Sequence, residues 1–323
     1  MYKKNKKKKS IKKKIFISLS IFVLLLMGIT SGALAYSYTL LNSIDKVSLN
    51  EDDLGINQTS SLKGITNIAL YGIDTDYNDN GRSDSIMILT IDNINKELKV
   101  SSIMRDSYVS IDGHGMDKIN HAYAYGGPQL SIKTLNQNFN LNIEDFITLN
   151  FNSFPKIIDE LGGLDLTITQ EEIDCYININ DHIKYLNELN GSNSKLITIP
   201  GRYHVDGTQA LAYARIRYTS EGDAGRTKRQ RTVLEQLLKK FKSISPTKYT
   251  SLLNEFLPLV KTSLTSNEIL SIATTILKMD DVELQQAKFP SDNYIQDTMI
   301  NGIYYLKFDK DATIEEIHDF IYN

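Results

Sequence analysis

The chain has 323 residues, with 36 Lys and Arg against 39 Asp and Glu, and a formal net charge of −3. Nine of the lysines lie in residues 1–14, which leaves 27 basic against 39 acidic residues in the rest of the chain. An acidic surface argues against general nucleic-acid binding, so no nucleic-acid partner is expected. The single cysteine, Cys175, excludes an intrachain disulfide, and stability must therefore come from a packed core.

An uncharged stretch of 21 residues, 15–35, follows the lysine-rich tail. A helix needs about 20 apolar residues to cross a bilayer, and lysines before it keep the tail in the cytoplasm. We therefore expect a cytoplasmic tail at 1–14, a single-pass cell-membrane anchor at 15–38 and an extracytoplasmic chain that begins with a polar stalk at 39–63. A cleaved signal peptide is the alternative, because Ala33-Leu34-Ala35 resembles a cleavage site.

Apolar runs and helical patterns alternate after the stalk. This alternation predicts an α/β fold, a layered α-β-α domain with a central mixed sheet. The segment 171–196 has no clear pattern and could be a lid or an insertion. Strands are predicted at Ile65–Tyr71, Ser85–Ile91, Lys99–Met104, Asp145–Phe151 and Leu164–Ile168, and helices at Gln129–Phe139, Phe154–Leu161 and Asp206–Ala214.

The loop between the first two predicted strands is acidic, with four aspartates between Asp74 and Asp84. Their charges repel one another unless a cation lies among them. An EF-hand calcium loop is disfavoured because Met87 stands where a bidentate glutamate is required. Asp74 follows one strand and Asp84 begins the next, so two neighbouring strand ends could hold both carboxylates on one Mg²⁺. A hydrophilic loop whose acids face water is the alternative.

Five of the eight arginines lie in the seventeen residues from Arg215 to Arg231. Arginine keeps its charge and presents a planar fork that matches phosphate oxygens in pairs, so this arginine cluster predicts an anion site. The spacing of Arg215 and Arg217 predicts an extended segment, followed by a glycine-rich loop at 222–225. A helix that Asp223 could cap would then begin near Arg226 and favour an anion at its N-terminus. A solvated basic helix end is the alternative.

The remaining chain is predicted to contain two helices, Tyr249–Val260 and Asn267–Met279, a strand at Gln286–Phe289 and a last helix at Ile314–Ile321. We expect the main domain to span 64–245, with 246–323 as a helical and strand extension packed on it.

Six segments of the chain together resemble one family of bacterial envelope proteins. They are Tyr71–Asp74, Gly81–Ser85, Met104–Asp106, Asp117–Tyr123, Asp159–Gly163 and the arginine cluster. Over about residues 64–242 the chain is thereby similar to the LytR-CpsA-Psr family. Two departures are small: Met104 stands where the family usually has proline, and the loop from Asp74 to Asp84 is slightly short.

The resemblance implies an enzyme. Members of this family are understood as Mg²⁺-dependent phosphotransferases that move a glycopolymer, such as teichoic acid or capsular polysaccharide, from polyprenyl pyrophosphate to peptidoglycan. The expected partners are therefore the lipid-linked glycopolymer, peptidoglycan and the membrane. The polyprenyl tail would lie in an apolar tunnel between the sheet and its helices.

The resemblance also implies site residues. Asp74 and Asp84 would hold Mg²⁺, with Mn²⁺ as the alternative ion. Lys118 and His121 match family motifs and are interpreted as structural. The catalytic, pyrophosphate-binding arginines would be Arg105, Arg215, Arg217 and Arg226, with Arg82 and Gln230 also at the phosphates and Asp106 and Asp223 in support.

Two other functions fit the same residues. A sensor or transcription attenuator that binds polyprenyl phosphates without chemistry needs the arginines but not the paired aspartates. A lipid pyrophosphatase would use water as the nucleophile. Zinc chemistry, serine hydrolysis and nucleotide hydrolysis lack support, because no H-x-x-x-H, G-x-S-x-G or G-x-x-x-x-G-K-[ST] motif occurs.

Overall fold

A computed structural model describes residues 45–56, 64–73, 81–150, 154–243, 260–277 and 284–323. The predicted anchor, most of the predicted stalk, Asp74 and all but the last residue of the predicted helix Tyr249–Val260 lie outside these ranges. Within them, no helix is both long and apolar enough to span a bilayer.

The strands are β1 (Asp45–Lys46), β2 (Ile65–Ile73), β3 (Ser83–Asp92), β4 (Glu97–Ile103), β5 (Tyr108–Ile111), β6 (Gly115–Lys118), β7 (Asp145–Asn150), β8 (Leu164–Ile168), β9 (Gly201–Val205), β10 (Val260–Thr262), β11 (Leu284–Phe289), β12 (Ile295–Ile300) and β13 (Ile303–Phe308). The helices are α1 (His121–Phe139), α2 (Phe154–Glu160), α3 (Gln170–Asp174), α4 (Ile179–Asn190), α5 (Gly207–Arg215), α6 (Gly222–Ser243), α7 (Ser266–Leu277) and α8 (Lys310–Tyr322). Short 3₁₀ turns occupy Glu51–Asp53 and Asp292–Tyr294.

The central sheet has seven strands in the order β1-β10-β7-β2-β3-β4-β11. It is mixed, because β2 pairs antiparallel with β3 and parallel with β7. Side chains of β2 alternate between two cores: Ile68 and Leu70 face the core under α2, α4, α5 and α6, whereas Ala69 and Tyr71 face the core under α1 and α8. Both faces of the sheet are covered, which explains the nearly continuous apolar runs. The predicted α-β-α layering and mixed sheet are confirmed.

Part of the predicted stalk belongs to the domain. β1 pairs in parallel with β10, and Leu54 is fully buried in the core under α1. The Asn136 side chain of α1 donates to the carbonyl oxygen of Leu54 at 2.8 Å. A start of the fold near Gly64 is therefore wrong, because 45–56 is polar in composition but packs Leu54, and less completely Val47, Leu49 and Ile56, on this core.

The unassigned segment 171–196 contains most of α3 and all of α4. Each helix begins with a capping box, Thr169 with Glu172 and Asn178 with Asp181. Ile179, Ile183 and Leu186 are buried on one face of α4, which packs against α5. The segment is therefore a wall of the domain, and its capping boxes are the sequence signal that indicates its helices.

The C-terminal part contributes strands to the central sheet. β11 pairs in parallel with β4, and the backbone N–H of Met104 extends this pairing by donating to Phe289 O at 2.8 Å. Proline, the residue usual for the family at position 104, has no N–H to donate. Two hairpins that the sequence patterns did not predict, β5–β6 and β12–β13, meet beside this edge through the Ser107–Leu306 bridge.

Gly207, at the start of α5, gives a test of this packing. An added Cβ would lie 2.0 Å from Pro155 O, so Gly207→Ala must move backbone. We expect urea unfolding to show a loss of at least about 2 kcal/mol. In Gly113→Ala the added Cβ meets open space, and the left-handed φ of residue 113 is the source of strain. This variant should lose about 1 kcal/mol in the free energy of unfolding. Equal losses in the two variants would contradict the contact.

Candidate functional site

Most of the predicted site residues converge at one edge of the central sheet. β3 and β4 are antiparallel, with Ile86 opposite Ile103, so the start of β3 lies beside the end of β4. This register places Asp84 next to Arg105, and the two side chains form an ion pair. The α5–α6 connection brings the arginine cluster to the same place.

The local structure of the arginine cluster differs from the prediction. α5 continues through Arg215, so Arg215 and Arg217 do not share an extended segment, and α6 begins at Gly222, so 222–225 is a helical turn and not a loop. Ile216 makes the corner because it is fully buried and leaves the helix with an extended ψ of 127°. Asp223 consequently lies inside the first turn of α6 and does not cap it.

Asp223 and Asp106 hold three arginines together. Asp223 Oδ1 lies 2.8 Å from Arg226 Nη2, 3.4 Å from Arg217 Nε and 3.9 Å from Arg105 Nε. Asp106 Oδ2 lies 3.6 Å from Arg105 Nε and 3.7 Å from Arg217 Nη2. Each carboxylate is shared, so the pairing fixes the arginines without cancelling their charge.

Lys118 adds a further positive charge to this network. Its Nζ donates to Asp106 Oδ1 at 2.7 Å. Burial alone would raise the pKa of Asp106, but the bond from Lys118 and the charges of Arg105 and Arg217 lower it below its usual range. Asp106 is therefore an ion-paired anion that orients its neighbours, and it is a poor candidate for a general base.

A cavity of about 190 Å³ opens beside this network. Arg226 and Gln230 on its wall are 7% and 6% exposed, and burial, partly offset by Asp223, lowers the pKa of Arg226 to about 10. The buried Nε atoms of Arg226 and Arg105 have no hydrogen-bond acceptor within the described residues. Buried donors without acceptors are costly, so the cavity favours an anion. Its lining residues are Asp84, Arg105, His182, Leu211, Ala214, Arg215, Arg226 and Gln230.

A larger depression, of about 480 Å³, lies further along α6 between β8, β9 and that helix. It contains none of the predicted site residues, and its Asp165 already accepts hydrogen bonds from Arg202 and His204. The smaller cavity is therefore the candidate site.

Arg105, Arg215 and Arg226 line the cavity, whereas Arg217 pairs with the aspartates beside it and Arg82, Arg202, Arg229 and Arg231 are not in its lining. Arg229 is buried and donates to Ile216 O and Thr219 Oγ1, both at 3.0 Å, with Glu172 at 3.4 Å. The Arg229 and Arg231 side chains each have one buried nitrogen without an acceptor among the described residues, but neither lines the cavity. Arg82 is exposed at the start of β3, next to the undescribed acidic loop.

His182 is a cavity residue that sequence reasoning missed. It lies on α4, and burial together with the nearby charge of Arg215 lowers its pKa to about 4. It is therefore neutral at physiological pH and can donate or accept a hydrogen bond without adding charge. On the same helix, the ring of Tyr185 lies 5.7 Å from Arg215 Cζ. The capping box at Asn178 is the signal that would have placed both residues on one helix.

Few of the side chains that could hold a metal ion at this site are among the described residues. No group of three or more His, Cys, Asp or Glu able to hold a metal occurs among the described residues, and Asp74 is not one of them. Asp84 is part-exposed, and Asn120 Nδ2 lies 3.4 Å from its Oδ1. Asn120 Oδ1 is buried and has no hydrogen-bond donor among the residues that the structure describes. A carboxylate beside an unpaired amide oxygen fits a cation that prefers oxygen ligands, such as Mg²⁺.

The sequence model of the LytR_cpsA_psr family matches residues 33–319. The chain belongs to this family. It is 33% identical over 271 residues to the polyisoprenyl-teichoic acid–peptidoglycan teichoic acid transferase TagU of Bacillus cereus, covering 80% of this chain and 81% of that protein. The corresponding TagU of Bacillus licheniformis is 32% identical over 317 residues, 96% of this chain and 94% of that protein. The predicted family and the predicted phosphotransferase class of enzyme are confirmed.

Solved structures of family members have the same fold. TagT bound to LIIa-WTA has a TM-score of 0.65 and 26% identity, covering 85% of this chain and 97% of that chain. The LytR-CPS2A-psr family protein YwtF (TagT) with bound octaprenyl pyrophosphate lipid has a TM-score of 0.61 at the same identity and coverage. A regulatory protein, MsrR of Staphylococcus aureus, is 39% identical over 176 residues, 54% of this chain and 49% of that protein.

Arg226 and Arg229 lie three residues apart but should respond differently to substitution. Arg229→Ala removes the arginine that faces the buried Glu172 carboxylate, which keeps its capping-box hydrogen bond from Thr169 N, so we expect a loss of about 3 kcal/mol in the free energy of unfolding. Arg226→Ala should cost much less, because Asp223 keeps Arg217 as a partner. Urea unfolding measures both, with the exposed Arg202→Ala as control. Equal costs for Arg226→Ala and Arg229→Ala would contradict the assignment.

The lowered pKa of His182 predicts a dependence of stability on pH. The unfolded chain binds the proton near pH 6.5 but the folded protein only near pH 4. Stability from this group is therefore complete above pH 6.5 and is lost as the pH falls towards 4. NMR of the imidazole should show titration near 4, moved upward by bound pyrophosphate. His182→Gln should reduce the loss of thermal stability between pH 7 and 5, and titration near 6.5 would refute the half-buried position of the imidazole.

Proposed function

We propose that the protein is a Mg²⁺-dependent phosphotransferase that moves a glycopolymer, of teichoic acid or capsular type, from polyprenyl pyrophosphate to peptidoglycan. The observation that carries this proposal is the cavity beside Asp84, where buried guanidinium nitrogens of Arg105 and Arg226 have no hydrogen-bond acceptor in the described part of the chain. A pyrophosphate presents several acceptor oxygens to such donors. Four arginines and Lys118 against three aspartates give the described part of the site an excess of positive charge.

The relatives support this choice of donor and acceptor. TagU is named for transfer of teichoic acid from a polyisoprenyl carrier to peptidoglycan, and YwtF was solved with octaprenyl pyrophosphate bound. We assign the same chemistry to this chain, with its site on the outer side of a membrane in which residues 15–38 are the anchor.

In this reaction a sugar hydroxyl of peptidoglycan attacks the phosphorus that carries the polymer. The bond from that phosphorus to the bridging oxygen breaks, polyprenyl phosphate leaves, and the polymer stays joined to peptidoglycan by a phosphodiester. Arg105, Arg217 and Arg226 stabilise the negative charge that develops on the phosphate oxygens. One well-placed donor of this kind is worth about 3 to 4 kcal/mol of transition-state stabilisation.

Mg²⁺, when bound, would supply further charge neutralisation at the phosphates. Asp84 would hold it, with Asp74 as the predicted second carboxylate and Asn120 Oδ1 as a neighbouring neutral oxygen. Asp106 and Asp223 keep the arginines in position and do not need to contact the substrate. Gln230, buried on the cavity wall, can donate to a phosphate oxygen without adding charge.

A binder without chemistry is the second candidate, favoured by the match to the regulatory protein MsrR. Such a protein would bind polyprenyl phosphates through the same arginines. It would have no need of a carboxylate at Asp84, since a carboxylate in an anion site lowers affinity unless a cation joins it. The role of Asp84 therefore separates the two candidates.

Transfer by the purified full-length protein, with lipid-linked glycopolymer and peptidoglycan, tests the proposal. Arg226→Ala and Asp84→Ala should each lower kcat/KM roughly 100-fold or more, because each removes charge stabilisation at the transition state. Chelation of Mg²⁺ should abolish transfer and added Mg²⁺ should restore it. Arg202→Ala, which removes an exposed arginine outside the cavity, should transfer normally.

Three other results of these experiments would contradict the proposal. Tight binding of the lipid pyrophosphate without turnover, equal with and without Mg²⁺, would establish the binder. Release of polymer phosphate into solution while acceptor is present would establish the pyrophosphatase. Full transfer by Asp84→Ala would refute the metal assignment.

A further inference from the structure

An aromatic surface lies beside the site, on the side formed by the β5–β6 and β12–β13 hairpins and the first turn of α1. We call it the aromatic shelf and define it by His114, Tyr125, Tyr304 and Tyr305. The rings of His114 and Tyr125 stack at 4.2 Å between centroids and 8° between planes. Tyr125 is 44% exposed, so the stack is open to solvent. Lys118 Nζ lies 5.7 Å from the ring centroids of both Tyr304 and Tyr305.

Asp117 fixes the shelf. Its Oδ2 accepts from the Tyr125 hydroxyl at 2.6 Å and pairs with His121 Nδ1 at 2.8 Å. Desolvation raises the pKa of the Tyr305 phenol, and the nearby charge of Asp117 raises it further. Burial alone would raise the pKa of Asp117, but the hydrogen bonds from Tyr125 and His121 lower it. Asp117 is thus an anion that holds rings from two elements, α1 and β13, in place. Its bond to Nδ1 leaves His121 Nε2 as the ring nitrogen for another partner.

The shelf is connected to the arginines through two side chains. Lys118, next to Asp117, donates to Asp106, and Asp106 pairs with Arg105 and Arg217. The apolar side chains of the cavity, Leu211 and Ala214, belong to α5, whereas none of the four shelf residues lines the cavity. The site therefore has an apolar side and an aromatic, polar side.

The geometry of phosphoryl transfer assigns these two sides. The attacking and leaving oxygens lie roughly in line through the phosphorus. The leaving group is polyprenyl phosphate, whose tail is apolar and belongs with Leu211 and Ala214. The attacking hydroxyl must then approach away from these apolar side chains, and we assign it to the shelf, which is joined to the arginines through Lys118 and Asp106.

Sugar rings suit this surface chemically. A pyranose has a face of C–H groups that packs on an aromatic ring, and hydroxyls around its edge that bond to carboxylate, phenol and imidazole. The shelf offers exposed aromatic rings beside Asp117 and His121. We propose that the aromatic shelf binds the sugar rings of the acceptor glycan strand and presents its hydroxyl to the site. This inference rests on the proposed function.

Acceptor kinetics of Tyr125 variants test the shelf. Tyr125→Ala removes a ring, so KM for soluble peptidoglycan glycan oligomers should rise roughly tenfold, with KM for the lipid donor unchanged. Tyr125→Phe keeps the ring and should stay within about threefold of the wild type. Tyr176→Ala, which removes a more exposed tyrosine on the α3–α4 connection, is the matched control and should leave both values unchanged. Thermal unfolding confirms that each variant is folded.

A binding measurement separates failure of the shelf from failure of the proposed function. Calorimetry of the full-length protein with the same oligomers, without lipid donor, should show binding that Tyr125→Ala and Tyr304→Ala each weaken roughly tenfold. Unchanged binding and unchanged acceptor KM in both variants, with transfer intact, would overturn the shelf alone. A raised KM for the donor instead would assign the shelf to sugars of the donor polymer and overturn the acceptor assignment. Absence of transfer by the wild type with oligomer binding intact would refute the function and leave the shelf as a glycan site.

Discussion

The site depends on the sharing of Asp223 and Asp106 among Arg105, Arg217 and Arg226. Guanidinium groups this close repel one another, and at a buried position that repulsion adds to the cost of desolvation, as the lowered pKa of Arg226 shows. Asp223 and Asp106 are shared by the three arginines, which stabilises the arrangement. Asp84 also pairs with Arg105, but the further charges of Arg215 and Lys118 leave a positive field in the cavity. The donors are therefore in place before a phosphate arrives, which is the arrangement that favours electrostatic catalysis.

The backbone supplies this arrangement because β3 and α6 begin, and β4 and α5 end, at the same edge of the central sheet. The antiparallel register of β3 and β4 places Asp84 beside Arg105, and Ile216, buried at the corner between α5 and α6, directs Arg217 back towards Asp223. The N-terminal turn of α6 adds its own dipole, which favours an anion near Arg226. Packing thus determines where the charges lie, and a shift of α5 against α6 would separate the arginines from their carboxylates.

Sequence reasoning reached the central strands and most of the charged residues, because both follow from local composition. Strands covered on both faces show as continuous apolar runs, and a concentration of arginine indicates anion chemistry whatever the backbone does. Prediction from sequence failed where one residue pattern is compatible with two local structures. Arginines two residues apart fit a strand, but the helix that ends at Arg215 brings Arg215 and Arg217 near the same site through a sharp corner. Arg229 lies in the same arginine-rich segment as Arg226. Its position around the helix turns its side chain inward to Glu172. The contact of Lys118 with Tyr304 joins residues far apart in the chain, which no local pattern can show.

Asp106 links the two sides of the site. It holds Arg105 and Arg217 at the phosphate side and Lys118 at the shelf side, and its backbone carbonyl accepts from Leu306 N at 2.9 Å, which ties the β12–β13 hairpin to the same residue. A sugar that moved the hairpin or Lys118 would therefore act directly on the carboxylate that positions the arginines. Because ion pairing lowers the pKa of Asp106 despite its burial, this carboxylate stays charged throughout the neutral range. The coupling between the two sides is thus set by geometry and does not change with pH, in contrast to the neighbouring His182, whose charge state responds to whichever anion fills the cavity.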